Sequence, residues 1–203
     1  MTLTQITFFF FIILFVIVLA MLVHSYLDKR KIAKGLHLLT KRFQGKVTQE
    51  SRLLYPRFHT ERNGRKFDLF FNEVKVGRNN ILYSIYSIST SLPHSLLFIK
   101  KDTYKAIKDE AMFNKENGDI LEYTELPFQG HSLRPEWAER ACRQAGIKEL
   151  LVSLDTFSSL QLGPDALIVG KPYEGVSDTD PDTVARSVRT LEQLAKGLEQ
   201  CPG

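Results

Sequence analysis

The residues nearest to a recognisable chemistry lie in Gly163-Pro-Asp-Ala-Leu-Ile-Val-Gly170-Lys171-Pro172, which has the glycines and lysine of a phosphate-binding loop. The spacing excludes that use. Six residues separate the glycines where four are needed, and Pro172 stands where a Ser or Thr hydroxyl would reach a magnesium ion. The same letters fit a tight turn followed by a buried strand. Asp178-Thr-Asp180-Pro-Asp182 opens like a calcium loop, but its sixth position is Thr183 instead of Gly and its twelfth is Arg189 instead of Glu. Acids at a helix start satisfy free N–H groups and meet the positive end of the dipole, so a helix cap is the expected role.

The remaining reactive side chains are dispersed. His24, His37, His59, His94 and His131 never fall three or four apart, so no local metal site is expected. Cys142, between Arg140 and Arg143, reads as a small core residue beside Ala138 and Ala141, and with only Cys201 besides it there is no disulfide framework. Both thiols are expected to be free. There is no Gly-x-Ser-x-Gly and no Cys-x-x-Cys, and no cofactor is implied. A hydrolase is conceivable only if residues such as Asp155, His131 and Glu125 converge in three dimensions.

Charge is more informative than chemistry. The chain carries a net +4, yet residues 28–66 hold Lys29, Arg30, Lys31, Lys34, Lys41, Arg42, Lys46, Arg52, Arg57, Arg62, Arg65 and Lys66 against Asp28, Glu50 and Glu61, twelve minus three or +9. Before this block runs Ile6 to Val23, eighteen residues with no charge and one weakly polar side chain, Thr7. At about 1.5 Å per residue it spans most of a hydrocarbon core roughly 30 Å thick. Met1 to Gln5 has no basic residue, and the exit from the run offers no small-x-small cleavage site, so an anchor is expected in place of a signal peptide. Because all nearby Lys and Arg follow the span, the positive-inside rule puts the N-terminus outside and the following domain in the cytoplasm, with a bacterial inner membrane as the expected bilayer.

The expected organisation is a transmembrane anchor over residues 1–27, a basic amphipathic juxtamembrane segment over 28–46, and one soluble domain over 47–200. Within the middle segment Ile32, Leu36, Leu39 and Phe43 recur at i, i+4, i+7 and i+11. That stripe suits either the headgroup layer or a helical stalk packed on the domain. Lys29, Arg30, Lys31, Lys34, Lys41 and Arg42 are the expected membrane-surface contacts, since each basic side chain near an anionic leaflet contributes on the order of 1 kcal/mol. Arg52 to Lys66 interleaves Tyr55, Phe58 and His59 as single-strand nucleic acid binders do, but beside a membrane lipid headgroups account for it more simply.

The soluble part reads as α+β, a mainly antiparallel sheet with packed helices. Asn63-Gly64 marks a hairpin between Arg57–Arg62 and a strand from Arg65, where the apolar parity changes between Phe71 and Val74 and suggests a bulge near Phe70. Ile81–Ile88 and Ser95–Ile99, apolar on both parities, suit central strands. A helix from Asp102 to Glu116, a strand over Ile120–Phe128, helices from Pro135 and Ile147, a hairpin turning at Gly163-Pro-Asp165 and a last helix opened by Asp180-Pro181 complete the chain.

Tyr55-Pro56 before Asn63-Gly64, the helix Ile147 to Leu154, and the Leu160 to Tyr173 hairpin before Val184 to Leu198 resemble a group of uncharacterised bacterial single-pass membrane proteins with a C-terminal soluble α+β domain. The resemblance implies no activity. A membrane-anchored, non-enzymatic interaction or scaffold module with a protein partner is therefore the first functional expectation. A domain binding a lipid or apolar ligand within an aromatic-rich sheet (Phe67, Phe70, Phe71, Tyr83, Tyr86, Phe98) is the alternative, and a membrane-tethered hydrolase the third.

Overall fold

The computed structural model describes residues 3–201 apart from 52–53, 77–78, 103–118, 123–127 and 145. One helix, α1 (Leu3–Phe43), runs without a break through both the apolar span and the basic segment. No side chain in its most apolar stretch is buried, whereas Ile32, Leu36 and Leu39 are fully enclosed by the domain. The i, i+4, i+7 stripe therefore packs on protein as a stalk. Burying each of these three side chains stabilises the docked helix by roughly 1.5 to 3 kcal/mol.

Gln44, in the left-handed region at φ 53°, stops the helix, and Gly45 follows where a Cβ would stand 2.4 Å from the His59 carbonyl oxygen. The chain then enters β1 (Lys46–Thr48), β2 (Arg57–Arg62), β3 (Arg65–Val76), β4 (Asn79–Ser89), β5 (Leu96–Lys100), β6 (Asp119–Glu122) and β7 (Phe128–Ser132). Helices α2 (Pro135–Arg143) and α3 (Ile147–Ser153) precede the hairpin β8 (Ser159–Leu162) and β9 (Ala166–Pro172). A 3-10 turn (Val176–Thr179) leads into α4 (Pro181–Glu199). The strands form one nine-stranded sheet in the order β1-β2-β3-β4-β9-β8-β5-β7-β6. Every pairing is antiparallel, as expected for an α+β domain.

Register explains the core. Phe67, Ile88, Leu167, Leu162 and Leu96 face one another in a row across five strands, and Phe58, Leu69, Tyr86, Val169, Leu160 and Phe98 form the next. Both rows are buried with Trp137, Ala138 and Ala141 of α2, Leu151 of α3, Val184, Val188, Leu191, Leu194 and Leu198 of α4, and the three α1 residues. Asn63 and Gly64 both take positive φ, 53° and 73°, as the hairpin signal requires. Asp180 caps α4 by accepting from the Asp182 and Thr183 N–H groups at 3.2 and 3.0 Å, with Pro181 in the first turn.

Three expectations are corrected. The β3–β4 register is unbroken from Phe67↔Ile88 to Val76↔Asn79, so there is no bulge near Phe70. The parity change arises because Phe71 still faces the core while Val74, three residues on, faces the opposite side of the sheet and is half-exposed. The single strand expected over Ile120–Phe128 is two, β6 and β7, paired with each other. The short edge strand β1 was not anticipated. Beyond Asp102 itself, the helix expected over 102–116 lies outside the described residues.

Arg65 closes the first hairpin onto the last helix, its two terminal nitrogens donating to Glu199 Oε1 and Oε2 at 2.8 and 2.5 Å while Nη1 also reaches the Ser89 carbonyl at 2.9 Å. The Arg65 hydrogen bonds hold the Glu199 carboxyl below its ordinary value of 4.5. The unfolded chain therefore binds a proton more readily there, and the stabilisation is complete above pH 4.5 and lost as pH falls below it. Urea unfolding between pH 7 and 3 should show this acid loss shrink in Glu199→Gln, and an unchanged acid limb would remove Glu199 as its source.

α1 approaches the 3-10 turn through Gly35, where a Cβ would lie 2.0 Å from Thr179 Oγ1 and 2.6 Å from its Cβ. Gly35→Val should cost about 1 to 3 kcal/mol, seen as a lower thermal midpoint of the full chain in detergent. At Gly197 the nearest atom is the mobile tip of Ile147, so Gly197→Ala should leave the midpoint unchanged or higher.

Candidate functional site

The changeover of α1 from bare apolar surface to buried stripe falls between Val23 and Ile32. The changeover takes about two and a half turns of the helix. Tyr26, Lys29, Arg30 and Ala33 lie along one flank of α1, and with Gln49, just past β1, they line a pocket of about 250 Å³. No acid lines it. Asp28 is directed elsewhere, 3.2 Å from His24 Nε2 and 3.5 Å from Lys31 Nζ on the same helix.

The second layer orients the first. The Lys29 ammonium sits 5.2 Å from the centre of the Tyr55 ring, and the Tyr55 hydroxyl donates to Glu73 at 3.3 Å. Burial, reinforced by Glu73, pushes the Tyr55 phenol up to about 12, so it stays neutral beneath the lysine. Gln49 is fixed through its amide nitrogen, which donates to the Leu54 carbonyl at 2.8 Å and keeps a second N–H to offer.

What holds this wall against the domain is an ion pair under the 3-10 turn. Phe71, Ser84 and Lys171 form the third row of the core face, and Lys171 pairs there with Asp178, whose side chain is 2% exposed. Asp178 also accepts from the Glu174 N–H at 2.7 Å, and its carbonyl accepts from the Tyr86 hydroxyl at 3.0 Å. The adjoining Thr179 is the surface on which Gly35 rests. The lysine of the apparent phosphate loop and the first acid of the apparent calcium loop thus neutralise each other.

The fold is similar to that of mycobacterial trehalose monomycolate transport factor A, TtfA. The likeness to its crystal structure has a TM-score of 0.59 and covers 85% of this chain and 97% of that one, at 12% identity. At that identity what is shared is the fold. No family model matches the chain, and no curated protein matches it in sequence.

The expected contact residues are distributed along α1. Arg30, Lys31, Lys34, Lys41 and Arg42 are exposed and Lys29 is half-buried, while Arg42 lies 3.5 Å from Asp182 at the start of α4. The aromatic set divides between the two faces of the sheet. Phe67, Phe71, Tyr86 and Phe98 fill the core, where Phe67 and Tyr86 have ring centres 6.2 Å apart, whereas Phe70 and Tyr83 face the other side.

Nor are the suggested hydrolase residues gathered. Asp155 is exposed on the loop after α3, His131 is buried in β7 with burial lowering its pKa, and Glu125 lies outside the described residues. A different hydroxyl–imidazole–carboxylate line does form: His59 Nδ1 lies 2.5 Å from Asp68 Oδ1 and Nε2 lies 2.9 Å from the Thr48 hydroxyl. Its imidazole and carboxylate side chains are 36% and 39% exposed, and it runs across β1, β2 and β3, so its evident work is to stitch the edge strand to its neighbours. The adjoining open groove, about 500 Å³, balances Lys46 and Lys66 against Glu61 and Asp68 and has no preferred sign of charge. Among the described residues no cluster of His, Cys, Asp and Glu could hold a metal ion.

Sequence reasoning missed the pocket because Gln49 completes it from beyond the helix. The signal available was the recurrence of Tyr26, Lys29, Arg30 and Ala33 at one helical flank. Removing one member of the buried pair, Lys171→Met or Asp178→Leu, should cost about 3 to 5 kcal/mol in urea unfolding, and Lys171→Met/Asp178→Leu together less than the sum of the two single losses. Simple additivity would mean the two do not act as a pair.

Proposed function

We propose that this chain is a membrane-anchored lipid-handling domain, held at the bilayer surface by α1 and engaging lipid at the helix's exit. The observation that carries the reading is the unbroken helix, bare and apolar at one end and locked into the core at the other, with a pocket lined by Lys29 and Arg30 at the changeover. An anchor serving only to tether needs no such fixed geometry, and a flexible linker would do. The fold shared with a trehalose monomycolate transport factor points the same way, toward a lipid as the molecule handled.

Lys29, Arg30, Lys31 and Lys34 are the side chains proposed to meet anionic headgroups. Lys41 and Arg42 stand some eleven or twelve residues beyond Arg30, about 17 Å along the axis. That is twice the screening length of about 8 Å in physiological salt, so they add only weak attraction. A platform for a protein partner alone would account for the anchor and leave the pocket without a role.

The full chain, purified in mild detergent and stripped by repeated washing, should retain a stoichiometric lipid in native mass spectrometry. A bare mass under every condition would count decisively against the reading. The proposed orientation places the domain in the cytoplasm. Cys142 and Cys201 are both buried, so topology is better read from Val152→Cys, at an exposed position, in a Cys142→Ala/Cys201→Ala background. A membrane-impermeant maleimide should label it only after permeabilisation, whereas labelling in intact cells would put the domain on the outer side.

A further inference from the structure

We propose that the pocket of Tyr26, Lys29, Arg30, Ala33 and Gln49 is a binding site for the phosphate of one anionic phospholipid headgroup, whose acyl chains stay in the bilayer beside α1. The inference rests on the lipid-handling reading and specifies where that lipid is held and by which group.

Depth is the first support. With Val23 at the edge of the hydrocarbon, Tyr26 lies about 5 Å and Arg30 about 10 Å farther along the helix axis. The polar layer extends roughly 5 to 7 Å beyond the hydrocarbon on each side, and a long arginine or lysine reaches back several ångströms, so the pocket opens at phosphate level. Tyr26, half-exposed, supplies the amphipathic ring that favours this layer.

The donor set is the second. Arg30 offers a planar fork that matches two phosphate oxygens, Lys29 offers an ammonium, and Gln49 offers its remaining amide N–H from a separate element. Two of the three are already oriented, Lys29 over the Tyr55 ring and Gln49 by the Leu54 carbonyl, so little side-chain freedom is lost when an anion arrives.

Selectivity is the third. Lys31, the next cation along the helix, is engaged by Asp28, and the described lining of the pocket brings the Lys29 and Arg30 cations together with no carboxylate among its members. A volume of about 250 Å³ takes a phosphate with its glycerol but excludes the two chains of a lipid. The bilayer and the pocket wall then divide one lipid between them.

The test uses the full chain in detergent, titrated with phosphatidylglycerol, with phosphatidylcholine, and with inorganic phosphate, with bound lipid counted by native mass spectrometry and phosphate by calorimetry. Wild type should bind one phosphatidylglycerol in clear preference to phosphatidylcholine. Lys29→Gln/Arg30→Gln should weaken that binding about tenfold or more, as expected for losing hydrogen bonds to charged groups. Lys41→Gln, which removes a charge far from the pocket, should leave it unchanged, and circular dichroism verifies that each variant is folded.

Equal loss in Lys41→Gln and in the double variant would show general charge attraction and overturn the site. Undiminished phosphatidylglycerol binding by the double variant would overturn the site while leaving the lipid-handling reading intact. Absence of lipid binding by wild type in every arm would overturn both. Inorganic phosphate binding as tightly as the lipid would identify a soluble anion as the ligand and overturn the headgroup assignment.

Discussion

The constraint on which the structure depends is that one helix must satisfy two solvents without a break. α1 presents an apolar circumference suited to hydrocarbon and then, within three turns, must offer a single apolar stripe to a protein core. A helix cannot rotate one part of itself relative to another, so the stripe of Ile32, Leu36 and Leu39 fixes the rotational position of the whole span. The approach is set by Gly35, whose missing side chain lets the backbone close on Thr179. Thr179 is in turn held by the 3-10 turn that the buried Lys171–Asp178 pair ties to the sheet. A buried pair is a costly way to gain stability, because desolvation takes back much of the attraction. Its return here is position: an irregular loop segment is pinned to one strand residue at the place where the membrane helix leans on the domain.

That arrangement also separates two uses of positive charge. Along the first turns of the docked helix, the described lining of the pocket carries Lys29, over the Tyr55 ring, and Arg30. Deeper in the domain charge is cancelled, by Asp178 on Lys171 and by Glu199 on Arg65. The sequence-wide excess in residues 28–66 is thus not a uniform basic face. Screening limits each cation to its own neighbourhood, so those within reach of one plane matter together while those farther along serve the fold.

Much of the architecture was legible because local chemistry and tertiary role agree. Asn63-Gly64 needs positive φ whatever surrounds it, Asp180-Pro181 begins a helix by satisfying N–H groups and removing one, and the α4 stripe follows helical spacing into the core. Where reading failed, the deciding information was not local. Three residues of β1 are too few to show alternation, and their pairing is supplied by β2. The parity change after Phe71 resembled a bulge because sequence reports which side chains are apolar and not which of two sheet faces they serve. Asp178 looked like part of a cap because the lysine that claims it arrives from β9 through an irregular connection.

The pocket shows why function is harder to read than fold in a chain of this kind. A core announces itself by periodicity, since every layer must be apolar, but a recognition site needs only a few donors brought together from elements that share no pattern. Here four of the five lining residues repeat on one helical flank and could have been grouped, yet the same spacing is what any solvent-exposed helix face displays. Their meaning comes from position along a continuous helix: the apolar run ends at Val23, the buried stripe begins at Ile32, and the basic flank starts in the turns between them. Rigidity turns an ordinary basic flank into a defined address, since a break anywhere between Val23 and Ile32 would let the same side chains disperse into water.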